Sequence, residues 1–432
     1  MTDPYLTQSS PYQNTAFASN KVVALHRWVN WIAGFSAGFV QQALELHLPI
    51  PKPEQVVLDP FGGVGTTPIT AFLRGHSVLS YEINPFLALV QRAKLDAIIH
   101  RKKDALKRHM EAFGLHMMAG EPPQSRPPEG FSSRIPFYSE RILIQVLRVW
   151  DYINKLDDPD IQNLFKVAFG ATMVSFSNYS YEPSLSSRLA AGKPLIEDAD
   201  VAGVLLAKLG EMYEDLCEID FIPLPGQSYE VRQGSFMRSE LPPKSVDLVI
   251  TSPPYLNNYN YLRNTRPQLY WLGFARTPKD LRYLEEENYG KFWQTVRKPK
   301  YQAKLIFESP WLEELLAKLA AVQTEKGIYG GAGWANYACE YFNDTYRFLT
   351  KMKNALKPGA KALIVVGNSV IKGINIEVDR VFIHVAELLG FADGKIHLVR
   401  DARIGSSIVG TGRRSEGEKK QKLYEAVVEL TR

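Results

Sequence analysis

Val56-Val57-Leu58-Asp59-Pro60-Phe61-Gly62-Gly63-Val64-Gly65-Thr66-Thr67 reads as a short apolar strand, a turn with three glycines, and the first residues of an apolar helical stretch. Strand, glycine-rich turn and helix form the unit in which backbone approaches a nucleotide-like ligand closely. The turn is not a phosphate loop, because no Gly-Lys-Ser/Thr follows it. It is not the dinucleotide fingerprint, because Gly-Gly-Val-Gly lacks that spacing. Asp59, at the strand end, would repel a pyrophosphate and suits a cationic amino-acid group. A second strand, expected over residues 76–81, ends in Glu82-Ile83-Asn84-Pro85-Phe86. Glu82 lies 23 residues after Asp59, about where an acidic residue grips ribose hydroxyls in nucleotide-binding units.

The ligand these residues imply is an adenosine with a positive, amino-acid-bearing tail and no phosphate, and S-adenosylmethionine fits. A second motif supplies something for it to react with. Val246-Asp247-Leu248-Val249-Ile250 is followed directly by Thr251-Ser252-Pro253-Pro254-Tyr255. The two prolines stiffen the turn and remove two backbone donors, so nearby carbonyls point outward without a local partner. Tyr255 then offers a flat face beside a hydroxyl and a free carbonyl. That combination suits a planar ring with an exocyclic amine: the ring stacks and both amine hydrogens find acceptors.

The chain resembles the S-adenosylmethionine-dependent DNA amino-methyltransferases, most closely those that modify N4 of cytosine. Asp59 to Thr67 matches the family's Asp-Pro-Phe-x-Gly-x-Gly-Thr-Thr cofactor motif, and Thr251 to Tyr255 matches its Ser/Thr-Ser-Pro-Pro-Tyr catalytic motif. Trp31 to Val40, with Phe35-Ser36-Ala37-Gly38-Phe39, is similar to the helix-entry segment that closes over the methionine part of the cofactor. The resemblance implies cofactor contacts from Phe35, Ser36, Asp59, Pro60, Phe61, Gly62, Gly63, Gly65, Thr66, Thr67, Glu82, Asn84 and Ser235. It implies catalytic roles for Ser252, Pro253, Pro254 and Tyr255. Phe35 and Phe39 stand at helix spacing, so core packing is expected of at least one. Many relatives carry Gly-Asp before the catalytic strand to meet the cofactor's adenine, whereas Gly234 here is followed by Ser235. Serine can still hydrogen-bond the adenine amine.

The chemistry follows from the amine. Its lone pair is delocalised into the ring, and two acceptors that hold its hydrogens turn the lone pair toward an electrophile. Ser252 Oγ and the Pro253 carbonyl are assigned those roles, and Tyr255 stacks on the base for roughly 1–3 kcal/mol. The protein then supplies position and electrostatics for an in-line displacement. A duplex hides this amine, so the base must flip out. A cysteine mechanism at C5 of cytosine would need a cysteine preceded by proline, whereas Cys217 follows Leu216 and Cys339 follows Ala338. Serine in the motif favours cytosine N4 over adenine N6, where Asp or Asn usually holds that place. Adenine N6 on DNA, an RNA amine, and a non-catalytic DNA-binding subunit stay open as alternatives.

Composition sets the bounds. The 432 residues are 45% apolar and 11% aromatic, enough for a large core and two or three lobes. A net charge of +5 permits a nucleic-acid partner. The two cysteines have no metal or disulfide spacing, so no metal is expected and a reducing cytoplasm is. The start lacks signal-peptide regions and no run of 18 apolar residues occurs, so the expected setting is bacterial or archaeal cytoplasm, at the nucleoid, with no membrane. Double-stranded DNA and a cognate restriction endonuclease are the expected partners.

Alternation of strands and helices predicts an α/β fold, a doubly wound, Rossmann-like methyltransferase sheet with a helical insertion and a target-recognition region. The expected parts are a loose arm (1–20), a cofactor-binding half (21–118), a proline-rich linker and helical insertion (119–225), the catalytic strand and motif (226–258), a target-recognition region (259–335) and the rest of the sheet (336–432). Helices are expected over 25–46, 337–356 and 374–390, and a mobile loop over 403–422. Arg297, Lys298 and Lys300 are expected to meet DNA.

Overall fold

A computed structural model describes all residues except 1–3, 8, 13–14, 32–33, 182–183, 257–260, 299, 323–330, 401–403 and 406–420. Among the described residues, seven strands form one sheet: β1 (Val56–Asp59), β2 (Ser77–Glu82), β3 (Tyr229–Gln233), β4 (Val246–Thr251), β5 (Leu356–Gly367), β6 (Asp393–Arg400) and β7 (Glu425–Thr431). Their order across the sheet is β3-β2-β1-β4-β5-β7-β6. β1, β2, β3, β4 and β5 run parallel, and β7 lies antiparallel between β5 and β6. The order reverses between β1 and β4, the switch point where a doubly wound sheet opens a crevice at its carboxyl edge.

The central strands are apolar nearly throughout because both faces are covered. Side chains alternate between two cores with the period of the strand. Val57, Leu248, Ile250, Leu363, Val365 and Val427 join one core, while Leu58, Val249, Ala362, Ile364 and Val428 join the other. On the first face lie α1 (Ala37–His47), α2 (Thr66–Leu73) and α3 (Pro85–Ile99). Packed beyond them is a helical body of α4 (Lys103–Ala119), α5 (Glu140–Asn154), α6 (Pro159–Thr172) and α7 (Val201–Glu218), with a hairpin of Tyr179–Tyr181 and Leu185–Ser187. Side-chain caps start these helices: Ser139 accepts from Ile142 N, Asp158 from Asp160 N with Pro159 at the first position, and Asp200 from Gly203 N. After β4 come α8 (Tyr261–Trp271), α9 (Pro278–Glu286), α10 (Trp293–Val296), α11 (Pro310–Ala320) and α12 (Gly331–Ala355), and α13 (Val378–Leu388) follows β5.

Several expectations change. The segment expected as one helix over 25–46 holds a 3-10 turn at His26–Trp28, extended backbone at Val29 and Ser36, and α1 from Ala37. Ser36 starts α1 by accepting from Phe39 N, and Asn20 holds the entry by accepting from Ala37 N. In the arm expected to be loose, the described residues Tyr5, Thr7 and Tyr12 are docked. Thr7 N donates to Ile396 O (3.1 Å), Ile396 N donates to Tyr5 O (2.8 Å), and Tyr12 is buried edge-on against Phe39. The helical body begins at Lys103, because α4 packs on α5 and α7. The helix expected over 337–356 starts earlier, at Gly331, and that expected over 374–390 is shortened to α13 by a hairpin of Ser369–Ile371 and Ile374–Ile376. Most of 403–422 lies outside the described residues.

Candidate active site

β1 and β4 are neighbours, so Asp59 and Thr251 end side by side at the switch point. Thr251 Oγ1 donates to Asp59 Oδ1 at 2.6 Å, and Phe61 N donates to the same oxygen at 3.1 Å. Thr67 Oγ1 crosses the same gap to Ile250 O at 3.0 Å. Buried hydrogen bonds therefore join the glycine-rich turn to the Ser-Pro-Pro-Tyr turn.

The glycines are required by space. A Cβ on Gly62 would stand 2.1 Å from Ser80 Oγ, and Gly65 has φ +91° with Gln91 Cγ 2.9 Å from any Cβ. Gln91 and Lys94 on α3 hold the turn's carbonyls: Gln91 Nε2 donates to Gly63 O (2.8 Å) and Lys94 Nζ to Val64 O (2.7 Å). Burial lowers Lys94 to about 7. Neither residue was legible as part of the site, because Gln91 and Lys94 stand among other polar residues of the same helix, Arg92 and Asp96, with nothing to mark them out.

The turns open on a cleft of about 280 Å³. Of the residues read from sequence, Pro60, Phe61, Gly63, Glu82, Asn84, Ser235, Ser252, Pro253, Pro254 and Tyr255 line it. Asp59, Gly62, Gly65, Thr66 and Thr67 stand behind the wall and shape it. Phe35 and Ser36 do not reach it: Phe35 packs edge-on against buried Phe39, and Ser36 is spent as the cap of α1. Their segment meets the cleft through Trp31 and Gly34 instead, with Trp31 stacked on Tyr261 (centroids 6.3 Å, 28°).

Glu82 faces the cleft with both oxygens engaged: Oε2 accepts from Gly63 N and Oε1 from Asn84 N, each at 2.7 Å. Burial raises its carboxyl to about 7 against the pull of these bonds, and raises that of Asp59 to about 6. Two further carboxylates line the cleft, Glu287 and Glu425, and no Lys, Arg or His does so among the described residues. Glu287 is held by Arg238 at 2.6 Å, and Glu425 accepts from Thr15 at 3.3 Å. Sequence reading named neither of them, nor Tyr261, as a cofactor-site residue, and held Trp31 only as the start of the helix-entry segment.

At the other motif, Ser252 Oγ donates to Val365 O at 3.0 Å. That commits its hydrogen and leaves lone pairs to accept. The Tyr255 ring lies against Gly367, whose added Cβ would sit 3.4 Å from Cε2. Burial and the charge of Glu425 push the Tyr255 phenol well above its ordinary value, so it stays neutral.

No family model matches the chain. It is similar to the Type II methyltransferase M.BsoBI of Geobacillus stearothermophilus, 25% identical over 444 residues that cover 91% of this chain and 83% of that protein. The Type II methyltransferase M.MvaI of Kocuria varians is 22% identical over 375 residues, 82% of this chain and 79% of that protein. M.AvaI of Nostoc sp., also a Type II methyltransferase, is 22% identical over 430 residues, 93% of this chain and 86% of that protein. Among solved structures, a geranyl diphosphate methyltransferase aligns at 8% identity and a TM-score of 0.32, over 100% of this chain and 91% of its own. That likeness adds nothing to the fold described above. Among the described residues, no helix is long and apolar enough to cross a membrane.

Proposed function

We propose that the chain is a site-specific DNA methyltransferase of the Type II class, which moves the methyl of S-adenosylmethionine to the exocyclic N4 amine of a flipped-out cytosine. The observation that carries this reading is the junction of its two motifs, joined by the bond from Thr251 to Asp59 at the mouth of one cleft. The named relatives support the reaction class, since their likeness runs over 82% to 93% of the chain. A restriction endonuclease for the same site is the partner this reading implies.

The cleft fits the cofactor by charge. A sulfonium and an ammonium are cations, and the lining holds three carboxylates and no basic residue among those described. The same lining disfavours a polyphosphate. Glu82 has lone pairs to spare beyond its two backbone donors and suits ribose hydroxyls. Phe61, Ile83 and Phe236 give apolar walls for adenine beside Ser235. Asp59 acts from behind, by fixing Thr251. When bound, S-adenosylmethionine supplies an already activated methyl group.

The remaining work belongs to the protein. Ser252 accepts one amine hydrogen, its own hydrogen being committed to Val365, and the Pro253 carbonyl accepts the other. Tyr255, backed by Gly367, stacks on the base. A neutral phenol at this position avoids burying a second charge beside Glu425. Serine, rather than a carboxylate or carboxamide, is what favours cytosine N4. The test is transfer of labelled methyl to unmethylated duplex DNA by the wild type and by Ser252→Ala. The reading expects label in DNA from the wild type, with transfer by the variant reduced at least tenfold at unchanged cofactor affinity. Equal transfer by both proteins would sink the assigned role.

A further inference from the structure

Beside the carboxylate-lined cleft lies a second cavity, of about 930 Å³, and its charge is opposite. Arg134, Arg263, Arg266 and Arg282 line it, against one carboxylate, Glu285. Arg134 and the hydroxyls of Ser186 and Ser187 come from the helical body, whereas the other three arginines come from α8 and α9. Arg134, Arg263 and Arg282 are exposed, and Arg266 is half-buried with its guanidinium 5.6 Å from the Tyr270 ring centre. Among the described residues, Arg134 and Arg266 make no ion pair with a carboxylate, and the charge of Arg282 acts on Glu285 of the same helix.

The two walls are tied together. Tyr181 Oη donates to Asn264 O (3.0 Å), Leu185 N to Asn264 Oδ1 (2.9 Å), and Gln268 Nε2 to Gly170 O (3.1 Å). Asn84, beside the cofactor cleft, donates to Thr265 of the same helix at 2.7 Å. Both cavities share Leu262, which stands between Tyr261 in one and Arg263 in the other.

We propose that this arginine-lined cavity holds the phosphodiester backbone of the substrate, with the helical body and α8–α9 as its two walls. The inference rests on the nucleic-acid reading above and adds where the strand runs. Guanidinium groups pair phosphate oxygens bidentately, and serine hydroxyls donate to the same oxygens. The carboxylates of the first cleft repel phosphate, so a base can enter it only while its backbone stays outside. The second cavity supplies the compensating charge at that border. The basic run at 297–300 does not share this geometry: Arg297 lies over the Trp293 ring at 4.8 Å, and neither Lys298 nor Lys300 lines either cavity.

Fluorescence anisotropy of the full chain with a short labelled duplex, across a series of KCl concentrations, tests this. Arg266→Ala with Arg282→Ala is expected to weaken binding on the order of tenfold and to flatten the salt slope by about 2. The Lys298→Ala, Lys300→Ala pair is expected to behave as wild type. Unchanged S-adenosylmethionine affinity in the arginine pair would show that it is folded, and the Arg266→Lys, Arg282→Lys pair should keep the slope. Wild-type affinity and slope in the alanine pair, or the loss appearing in the lysine pair instead, would overturn the inference. A wild-type protein that binds no DNA would remove the reading beneath it. Arginine-dependent binding of duplex RNA instead would keep the cavity as a phosphate track and change the substrate.

Discussion

Thr251 and Asp59 meet through one buried hydrogen bond of 2.6 Å, and much of the site hangs on it. Thr251→Val removes a donor from a buried carboxylate, which costs roughly 1–3 kcal/mol. Urea denaturation should show that loss, and the carboxyl of Asp59 should titrate above about 6. Glu82 gives a pH prediction. Its folded value is raised by burial from 4.5 to about 7, and that of Asp59 from 3.8 to about 6. Both groups therefore favour the folded state most at low pH, and that contribution is lost as pH rises from about 4 to about 7. Accepting ribose hydroxyls uses the ionised form of Glu82. Cofactor affinity, measured by calorimetry, should thus rise between pH 6 and 8, and Glu82→Gln should flatten the rise and weaken binding roughly tenfold or more. A flat wild-type profile would remove Glu82 from cofactor binding. These residues were legible because each stands at a strand end beside a distinctive turn. Ser36 caps α1, and a serine before an apolar run carries the same sequence signal whether it serves as a cap or as a ligand contact.

Among the elements, the link between the helical body and the segment at the mouth of the cleft carries the sharpest test. Asp215 on α7 is fully buried and accepts from Leu25 N (2.6 Å), Trp28 Nε1 (2.8 Å) and Arg27 Nε (2.8 Å). Leu25 is held at φ +64°, which a leucine rarely adopts. Asp215→Ala would strand those donors and Arg27 at a cost of about 3–5 kcal/mol, read as a lower urea midpoint. The same variant should loosen the chain that leads to Trp31 and weaken cofactor binding. Stability equal to wild type would mean the helical body does not brace the cleft. Nothing in the sequence pairs residue 215 with residues 25–28, because the contact exists only once α7 has packed. The alternation of strands and helices was legible, but the bounds of α1 and α12 were not, since caps and tertiary packing set them. Gly367 belongs here too: it lets the Tyr255 ring lie on β5. Gly367→Val should slow methyl transfer more than it lowers stability.

In the whole molecule, β7 and β6 close one end of the sheet and bring late sequence to the site. Glu425 begins β7 opposite Gly367, which is why a residue near the chain's end lines a cleft built mainly from residues 31–289. Periodicity predicts strands, whereas their order across the sheet is decided by packing, so Glu425 could not be read beforehand, and Glu287, just past α9, carries no local signal of its place in the cleft. Further along β7, Glu429 joins the sheet to the N-terminal arm. Burial alone would raise its carboxyl, but hydrogen bonds from His397 and Lys361 overcome that and hold it well below the usual range. A lowered carboxylate stabilises the fold above its ordinary value of 4.5, and the contribution is lost as pH falls toward its folded value. Glu429→Gln should therefore lower Tm at pH 7 and lessen its drop between pH 7 and pH 3. The reaction is defined by which atom receives the methyl group. Incubation of the protein with S-adenosylmethionine and unmethylated duplex DNA, followed by mass spectrometry of the nucleosides, tests it most directly. N4-methylcytosine is predicted. N6-methyladenine would contradict the base assignment, and 5-methylcytosine or unmodified DNA would contradict the amine chemistry assigned to Ser252 and Pro253.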